Sequence, residues 1–364
     1  KQVPYSVRIL RCEIWGAFKM GARFEPQEQS AISKVQITSP NAERGSKSHL
    51  WMGTKRLTKE VDMKKVLVAA LTLALAICLV IPVSAAEPRV LKFSSIHEPY
   101  HVSAITADKF AARVNELTNG ELDVQVYHSR QLGDARQNVE NIRNGSVAFT
   151  SVSVANLSQV LPQMDMFSLP YIFKNDAHYW YCIQHDKIGD VMKQLEPKGI
   201  KVISWITSGA RSLFTQKPVN TSADLNGMKI RVMASPVMIN TMKAIGANGV
   251  PVAWGELYNA LQTGVVDGAE NNPPSLISMK FYEVSKYFIL DEHMRIPDVN
   301  IVSTRVFDKL TKSQQAAIMQ AAVEATHFMR GAWYVSERKS LEELKTKMAG
   351  IIEPDKQPFM DAVS

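Results

Sequence analysis

The sequence has few cysteines and lacks the short motifs of several large enzyme classes. Only three of its 364 residues are cysteine, too few for a disulfide scaffold. No G-x-S-x-G, P-loop or G-x-G-x-x-G motif and no Cys/His zinc cluster occurs, so the signatures of these enzyme classes are absent. No repeat of fixed period or low-complexity tract is present. The composition, 46% apolar and 21% charged, is that of a globular protein.

The formal net charge of +7 belongs entirely to the N-terminal part of the chain. Residues 1–62 carry 11 Lys and Arg against 6 Asp and Glu, and residues 63–86 add two lysines. Residues 87–364 carry 29 basic and 29 acidic residues. Because an electrostatic footprint for nucleic acid needs a basic excess, we expect no nucleic-acid partner.

Residues 63–86 have the pattern of a bacterial signal peptide. The positive start Met63-Lys64-Lys65 precedes the apolar run 66–81, and small residues lead up to Ala86. This pattern suits cleavage after Ala85 or Ala86. The alternative is an uncleaved membrane anchor, because the apolar run is close to the shortest bilayer spans. We expect cleavage and a periplasmic mature protein.

The segment before the signal peptide and the cysteine content after it each lead to an expectation. Residues 1–62 show no sustained period of 3.6 or 2, and we interpret them as translated upstream sequence that is absent from the native protein. A disordered N-terminal extension is the alternative. After export only Cys182 remains, so we expect no internal disulfide.

The first part of the mature chain alternates between predicted strands and helices. Apolar patterning predicts strands at 90–94, 122–127 and 147–154. The helix after the first strand can begin at Pro99 and should end at Asn119-Gly120, and the next should be capped by Asp134 and closed by Asn144-Gly145. This order is typical of a parallel sheet with crossover helices.

A second α/β series follows, so we predict two α/β lobes with a ligand cleft between them. Further strands are expected at 201–206, 228–232 and 265–269, and further helices at 176–195, 236–245, 255–263 and 312–348. We assign 87–212 mainly to the first lobe, 213–303 mainly to the second, and 304–364 to a helical region that crosses between them. Ligands of such folds bind at the carboxyl ends of the strands.

The segment His97-Glu98-Pro99-Tyr100-His101 matches the H-E-x-x-H motif of zinc proteases. A zincin needs both histidines on one helix, where Pro99 would cost about 3 kcal/mol. We expect Pro99 near the first helical position and His97 in the preceding loop. His97 and Glu98 are then candidates for contacting a ligand hydroxyl. An exported metal-dependent hydrolase is the remote alternative, and we predict no catalytic residue, metal or cofactor.

Two segments place polar groups where a cleft is expected. In 228–232 the alternate residues are apolar, so Arg231 lies on the other face near the end of the strand. Its guanidinium offers a planar fork for a carboxylate, although a solvated surface arginine would fit the spacing too, as it would for Arg211. Asn271 and Asn272 follow an apolar strand; they suit hydroxyls or a carboxylate, or an Asx turn that caps the next helix.

Five segments together carry a family resemblance that spans nearly all of 88–364. They are QLGDARQNVENIRNG (131–145), FSLPYIF (167–173), SGARSLFT (208–215), DLNGMKIRVMASPVM (224–238) and ELYNALQTGVVDGAENN (256–272). In this order they resemble the periplasmic solute-binding subunit of TRAP transporters, the DctP family. The resemblance implies a two-lobed, type II-like periplasmic binding protein that closes on an organic acid and delivers it to membrane permease subunits.

The resemblance also implies roles for particular residues. The family's carboxylate-binding arginine falls on Arg231, its second arginine on Arg211, and its cleft asparagine on Asn271. The AENN form is similar to the branch that binds sugar acids such as glucuronate, for which extra polar groups would come from Asn272, His97, Glu98 and His293. C4-dicarboxylates and 2-oxo or hydroxy acids remain alternatives.

Some expectations concern the whole protein. We expect a soluble, monomeric mature protein that is not an enzyme, with a role in transport or, alternatively, in presenting ligand to a signalling receptor. Family members continue through a further helical stretch where this chain stops at Ser364. We therefore expect the region 304–364 to be truncated.

Overall fold

A computed structural model describes Lys64, Leu67, Val68 and residues 87–364. The predicted extension 1–62 and nearly all of the predicted signal peptide 63–86 lie outside these residues. The sheets, the cores and the cavity all lie within residues 87–364. Among the described residues no helix has both the length and the hydrophobicity that crossing a bilayer requires.

Eleven strands and ten helices, besides short 3-10 turns, are described in 87–364. The strands are β1 (Arg89–Ser94), β2 (Leu122–Tyr127), β3 (Phe149–Ser153), β4 (Ile200–Ile206), β5 (Arg211–Thr215), β6 (Lys229–Val232), β7 (Asn248–Pro251), β8 (Gly268–Asn271), β9 (Tyr287–Met294), β10 (Asp298–Ser303) and β11 (Gly350–Ile352). The helices are α1 (Val102–Leu117), α2 (Ala135–Asn144), α3 (Asp176–Ile183), α4 (Asp186–Lys193), α5 (Pro236–Ala244), α6 (Leu257–Gln262), α7 (Pro273–Ser278), α8 (Thr304–Phe307), α9 (Lys312–Lys347) and α10 (Gln357–Ala362).

The strands form two mixed sheets, one for each lobe. The first has the order β2-β1-β3-β10-β4 and the second β11-β9-β5-β8-β6-β7. β1 pairs in parallel with both β2 and β3, which confirms the predicted parallel arrangement with crossover helices. β10 is antiparallel to both β3 and β4, and β5 is antiparallel to both β8 and β9.

Local signals explain why the elements begin and end where they do. In β1 the side chains of Leu91 and Phe93 are buried, whereas Lys92 is exposed, so the strand buries one face. The Asp134 carboxylate accepts a hydrogen bond from the Gln137 amide at the start of α2. Gly145 closes the same helix at φ 84°, a conformation that glycine adopts without strain.

The long helix α9 packs against both lobes. Near its start Ile318 belongs to the core of the first sheet, together with Phe93 and Phe149. Near its end Leu344 belongs to the core of the second sheet, together with Phe288. A 36-residue helix is about 54 Å long at 1.5 Å per residue, long enough to span the two cores.

The chain passes between the sheets at points that differ from the predicted boundaries. β10, at 298–303, belongs to the first sheet, and β11, at 350–352, belongs to the second. Arg211 lies in the second sheet, although the boundary at 212 would place it in the first lobe. The reason is that strands far apart in sequence complete each sheet, so no single cut of the chain separates the lobes.

Three predicted elements differ in their limits from the observed ones. The helix expected at 176–195 is two helices, because the chain bends so that Ile183 and Met192 both reach one core. The first crossover helix begins at Val102, with His101 as its N-cap, rather than at Pro99. The strand expected at 265–269 lies at 268–271, where β5 pairs with all four residues and β6 pairs with Gly268 and Ala269 from the other side.

The first crossing from one sheet to the other is the segment Thr207–Ala210 between β4 and β5, and it depends on Gly209. Gly209 has a φ of +63°, and a Cβ there would lie 2.2 Å from Glu337 Oε1 and 2.6 Å from Trp333 Nε1. We expect Gly209→Ala to lower the free energy of unfolding by about 1–3 kcal/mol, because it adds both backbone strain and a clash with α9. Urea unfolding of the purified protein measures this change.

Gly331 provides the matched control. It lies in the interior of the same helix α9, and a Cβ there would meet nothing within 4 Å. Gly331→Ala should therefore raise the unfolding free energy by about 1 kcal/mol through helix propensity. Equal stability of the two alanine variants would contradict the role assigned to Gly209.

Candidate functional site

A cavity of about 340 Å³ lies between the two sheets. The carboxyl ends of β3, β6 and β8 contribute to its lining, as does the loop after β1. β5 and β10 run antiparallel to their neighbours, so their amino ends, at Arg211 and Asp298, reach the same edges. The volume is within the range of small-molecule sites, and the position agrees with the rule for open α/β sheets.

Arg231 projects into this cavity from the end of β6 as a buried cation. Its side chain is only 3% exposed, and its Nε donates to the Val252 carbonyl at 2.8 Å. The Nη1 atom is buried without a hydrogen-bond partner, and its guanidinium lies 5.8 Å from the ring of Trp254. No acidic group in the described part of the chain forms an ion pair with it. A buried cation of this kind needs an anion.

The surroundings of Arg231 leave it charged at neutral pH. Burial lowers the pKa of its guanidinium to about 10, with Glu270 acting in the opposite direction and Arg211 adding to the decrease. That pKa still lies about three units above neutrality. The group therefore presents a permanent positive charge to the cavity.

Arg211 also lines the cavity, but its guanidinium already has an acidic partner. Its Nε and Nη2 donate to the two carboxylate oxygens of Glu270 at 2.5 and 2.9 Å, and Nη2 also donates to the Glu270 carbonyl at 3.1 Å. Arg211 is 4% exposed and Glu270 is fully buried. This bidentate pair joins the neighbouring strands β5 and β8 and neutralises the arginine.

A histidine supports this pair from the side away from the cavity. The His293 Nδ1 lies 2.7 Å from Asp291 Oδ2, and its Nε2 lies 3.9 Å from Glu270 Oε2. Burial acts to lower the pKa of His293, yet the carboxylates of Asp291 and Glu270 outweigh it and raise the pKa above its ordinary value. His293 is not part of the cavity lining.

Asn271 and Asn272 both line the cavity, and the side-chain oxygen of each is occupied. Asn271 Oδ1 accepts from Arg211 Nη1 at 3.3 Å and from the Asn272 amide at 2.9 Å. Asn272 Oδ1 accepts from the Ser275 amide at 2.9 Å and caps α7. Because each side-chain oxygen already accepts hydrogen bonds, the NH2 group of each amide is the part that can bind a ligand, as a donor.

The H-E-x-x-H segment does not form the arrangement of a zincin. His97 precedes the helix, and its ring stacks on that of His101 with centroids 4.1 Å apart and planes 8° apart. Glu98 is bound elsewhere: it accepts from the Ser129 hydroxyl at 2.5 Å and lies 3.7 Å from Arg130. Within the described residues no group of three or more His, Cys, Asp or Glu side chains could hold a metal.

Both histidines of this stack line the cavity. Burial, and secondly the positive charge of Arg130, lower the pKa of His97 to about 4. Burial and the neighbouring His97 hold the pKa of His101 well below its usual range. The two imidazoles are therefore neutral at physiological pH and available for hydrogen bonding.

Five of the seven predicted ligand-binding residues lie in the cavity lining and two do not. The five are Arg231, Arg211, Asn271, Asn272 and His97, and the two outside are Glu98 and His293. Glu98 is engaged by the loop at Ser129–Arg130, and His293 lies behind the Arg211–Glu270 pair.

Sequence reasoning missed other lining residues, notably His101, Trp254, Asp298 and Trp333. Trp254 stands in a loop after β7, and its Nε1 is buried without a partner. Asp298 belongs to a strand that only the tertiary structure assigns to the first sheet. Neither has a local sequence signal, whereas His101 belongs to the H-E-x-x-H segment, in which the sequence indicated only His97 and Glu98 as ligand contacts.

The chain matches the model of a family described as bacterial extracellular solute-binding protein, family 7 (DctP), over residues 93–364. It is 31% identical over 273 residues to the C4-dicarboxylate-binding periplasmic protein DctP of Rhodobacter capsulatus, a match that covers 75% of this chain and 82% of that protein.

Two solved structures are similar to this chain in both sequence and fold. One is a TRAP periplasmic solute binding protein from Sulfitobacter sp. NAS-14.1 with bound β-D-galacturonate, at 33% identity and TM-score 0.74, covering 76% of this chain and 92% of that chain. The other is a TRAP periplasmic solute binding protein from Pseudomonas putida F1 with bound D-glucuronate, at 32% identity and TM-score 0.74, covering 76% and 91%.

Asp298 gives the site a testable dependence on pH. Burial raises the pKa of its carboxyl to about 6, although Arg211 acts in the opposite direction. Because the folded protein holds this proton more tightly than the unfolded chain, its contribution to stability should fall as pH rises from about 4 to about 6, by at most about 3 kcal/mol. Asp298→Asn should remove this part of the pH dependence, measured as Tm from pH 4 to 7.

The exposed Asp308 provides a control for the same charge change. Asp308→Asn should keep the pH slope of the unchanged protein. An Asp298→Asn protein whose Tm changes over pH 4–6 with the same slope as that of the unchanged protein would contradict the assignment.

Proposed function

Because the chain belongs to family 7 of the bacterial extracellular solute-binding proteins, we propose that it captures a sugar acid of the uronate class for a TRAP transporter. Arg231 pairs with the carboxylate of this ligand. The protein is exported to the periplasm, closes on the acid and delivers it to membrane permease subunits. It carries out no catalytic step and acts as a monomer.

The observation that carries this proposal is the buried, unpaired guanidinium of Arg231. Its Nη1 lacks a hydrogen-bond partner at the wall of the cavity. A ligand carboxylate supplies both the missing charge and the missing acceptor, so binding offsets the cost of the buried cation. A neutral sugar supplies an acceptor without the charge, and it should therefore bind much more weakly.

The cavity favours a ligand with one carboxylate and several hydroxyls. The two buried guanidiniums of the lining differ, because that of Arg211 is already bound to Glu270 and that of Arg231 has no carboxylate partner among the described residues. The remaining lining includes the charged side chains of Asp134, Arg136 and Asp298 and several neutral polar groups, among them the amides of Asn271 and Asn272 and the imidazole of His97. These groups suit hydroxyls. The uronates bound by the two similar structures have this composition.

Ligand capture is proposed to proceed by closure of the two lobes. Residues of both sheets line the cavity, so a bound acid contacts both lobes. It therefore stabilises the closed arrangement, in which both sets of contacts are made. The crossing at Gly209 is one place where such a change in angle would be absorbed. Closure encloses the ligand and buries the carboxylate beside Arg231.

A ligand panel with variants of Arg231 tests the proposal. D-glucuronate or D-galacturonate at about 100 times its dissociation constant should stabilise the protein by about 2.7 kcal/mol, a Tm increase of a few degrees. D-glucose, which keeps the ring and hydroxyls without the carboxylate, should give no increase. Calorimetry should show D-glucuronate binding weakened about 100-fold or more by Arg231→Ala, and less by Arg231→Lys, which keeps the charge without the fork.

Arg338→Ala is the matched control, because Arg338 is an exposed arginine on α9; its affinity for D-glucuronate should be unchanged. Stabilisation by succinate and not by the uronates would replace the sugar acid with a C4-dicarboxylate. Unchanged D-glucuronate affinity in Arg231→Ala would overturn the central pairing.

A further inference from the structure

We propose that His101 determines ligand specificity: its Nε2–H donates a hydrogen bond to a sugar oxygen of the bound acid, separate from the carboxylate. This inference rests on the proposed function and extends it to a second contact. It assigns a role to a histidine that neither the zinc motif nor the carboxylate site accounts for.

The backbone determines which nitrogen of His101 carries the hydrogen. The ring is the N-cap of α1, and its Nδ1 accepts the Ser103 amide hydrogen at 3.1 Å. An acceptor nitrogen has a lone pair and no hydrogen, so the hydrogen of the neutral ring lies on Nε2. Because burial and the neighbouring His97 keep the ring neutral, Nε2–H is a donor throughout the physiological range.

The ring of His101 lies at the cavity, where a bound ligand can supply the hydrogen-bond acceptor for its Nε2–H. His101 is 3% exposed and lines the cavity, and its Nε2 is buried with no hydrogen-bond partner among the residues that the structure describes. The His97 ring stacks on it at 4.1 Å, and Trp333 approaches at 6.2 Å with its ring tilted by 61°. The cap and these two rings restrict rotation, so the donor cannot turn to find another acceptor.

The chemistry of the donor indicates the class of atom it recognises. A neutral N–H pairs well with a hydroxyl or ring oxygen, and a ligand that lacks this oxygen leaves the buried donor unpaired. Arg231, on the other sheet, supplies the charge that a carboxylate requires. A metal is the less suitable occupant, because the stacked rings are nearly parallel and Nδ1 of His101 is already engaged by the helix.

A substitution can remove the donor while keeping the helix cap. Serine and asparagine are both strong N-cap residues, so in His101→Ser and His101→Asn an oxygen can still accept from the Ser103 amide. We expect each variant to keep a cooperative thermal transition. His101→Ser, which has no side chain long enough to replace the ring, should weaken D-glucuronate binding about 10- to 100-fold.

A ligand without hydroxyls separates the possible contacts. Tetrahydropyran-2-carboxylate keeps the ring oxygen and the carboxylate but lacks the hydroxyls of D-glucuronate. If His101 donates to a hydroxyl, the substitution weakens only D-glucuronate; if it donates to the ring oxygen, it weakens both ligands. Cyclohexanecarboxylate keeps the carboxylate without the ring oxygen, and its binding should be unchanged in His101→Ser. An equal loss for this ligand would assign His101 to the carboxylate and overturn the sugar-oxygen contact. Unchanged affinity for both ligands in His101→Ser, with D-glucuronate binding still lost in Arg231→Ala, would overturn the role of His101 and leave the proposed function intact.

A measurement on the unchanged protein tests the tautomer and the contact directly. In the ¹⁵N-histidine spectrum the signals of His101, identified by their absence in His101→Ser, should show the tautomer with hydrogen on Nε2. Saturating D-glucuronate should shift the Hε2 resonance. No shift on binding, or a shift with Zn²⁺ alone and none with D-glucuronate, would overturn the proposal.

Discussion

The buried ion pair between Arg211 and Glu270 organises the wall of the cavity in the second lobe. Leaving either charge alone in this environment would be strongly unfavourable, and the two-point contact between guanidinium and carboxylate ties β5 to β8 at the edge where the ligand site lies. Asn271 follows Glu270 directly and accepts from the same arginine. Since Glu270 pairs with Arg211, Arg231 is a buried cation without a carboxylate partner among the described residues, and this difference between the two arginines is the basis on which we propose Arg231 as the ligand-binding one.

The two lobes are joined by chain crossings, by α9 and by a buried apolar cluster that includes Val299 of the first sheet and Leu213 and Ile230 of the second. The short crossing at Thr207–Ala210 leads from the first sheet to the second, and the segment between β9 and β10 leads back. The helix α9 contributes Ile318 to one core and Leu344 to the other. A change in the angle between the sheets would be absorbed in these connections and at the shared apolar cluster, because the sheets and helices themselves deform little. The close approach of Trp333 and Glu337 to Gly209 places one of these connections beside the cavity.

The H-E-x-x-H segment illustrates how a motif depends on its secondary structure. Helix α1 begins three residues after Pro99, so His97 and His101 do not share a helix and cannot meet a metal as they would in a zincin. The same residues instead form a stacked, neutral pair at the cavity. In this setting the helix cap determines the tautomer of His101 and leaves its Nε2–H as the donor that we propose for the ligand.

The sequence by itself determined the features that depend on near neighbours. The limits of β2, the Asp134 cap and the left-handed Gly145 follow from alternation and capping within a few residues, and the same alternation placed Arg231 on the face opposite Ile230. Only the tertiary structure decided that Glu270, 59 residues from Arg211, is its partner, that the polar stretch 268–271 is a strand, and that Asp298 and His101 reach the cavity. These outcomes depend on which distant strands pair and which buried charges neutralise one another, and local sequence patterns contain no information about either.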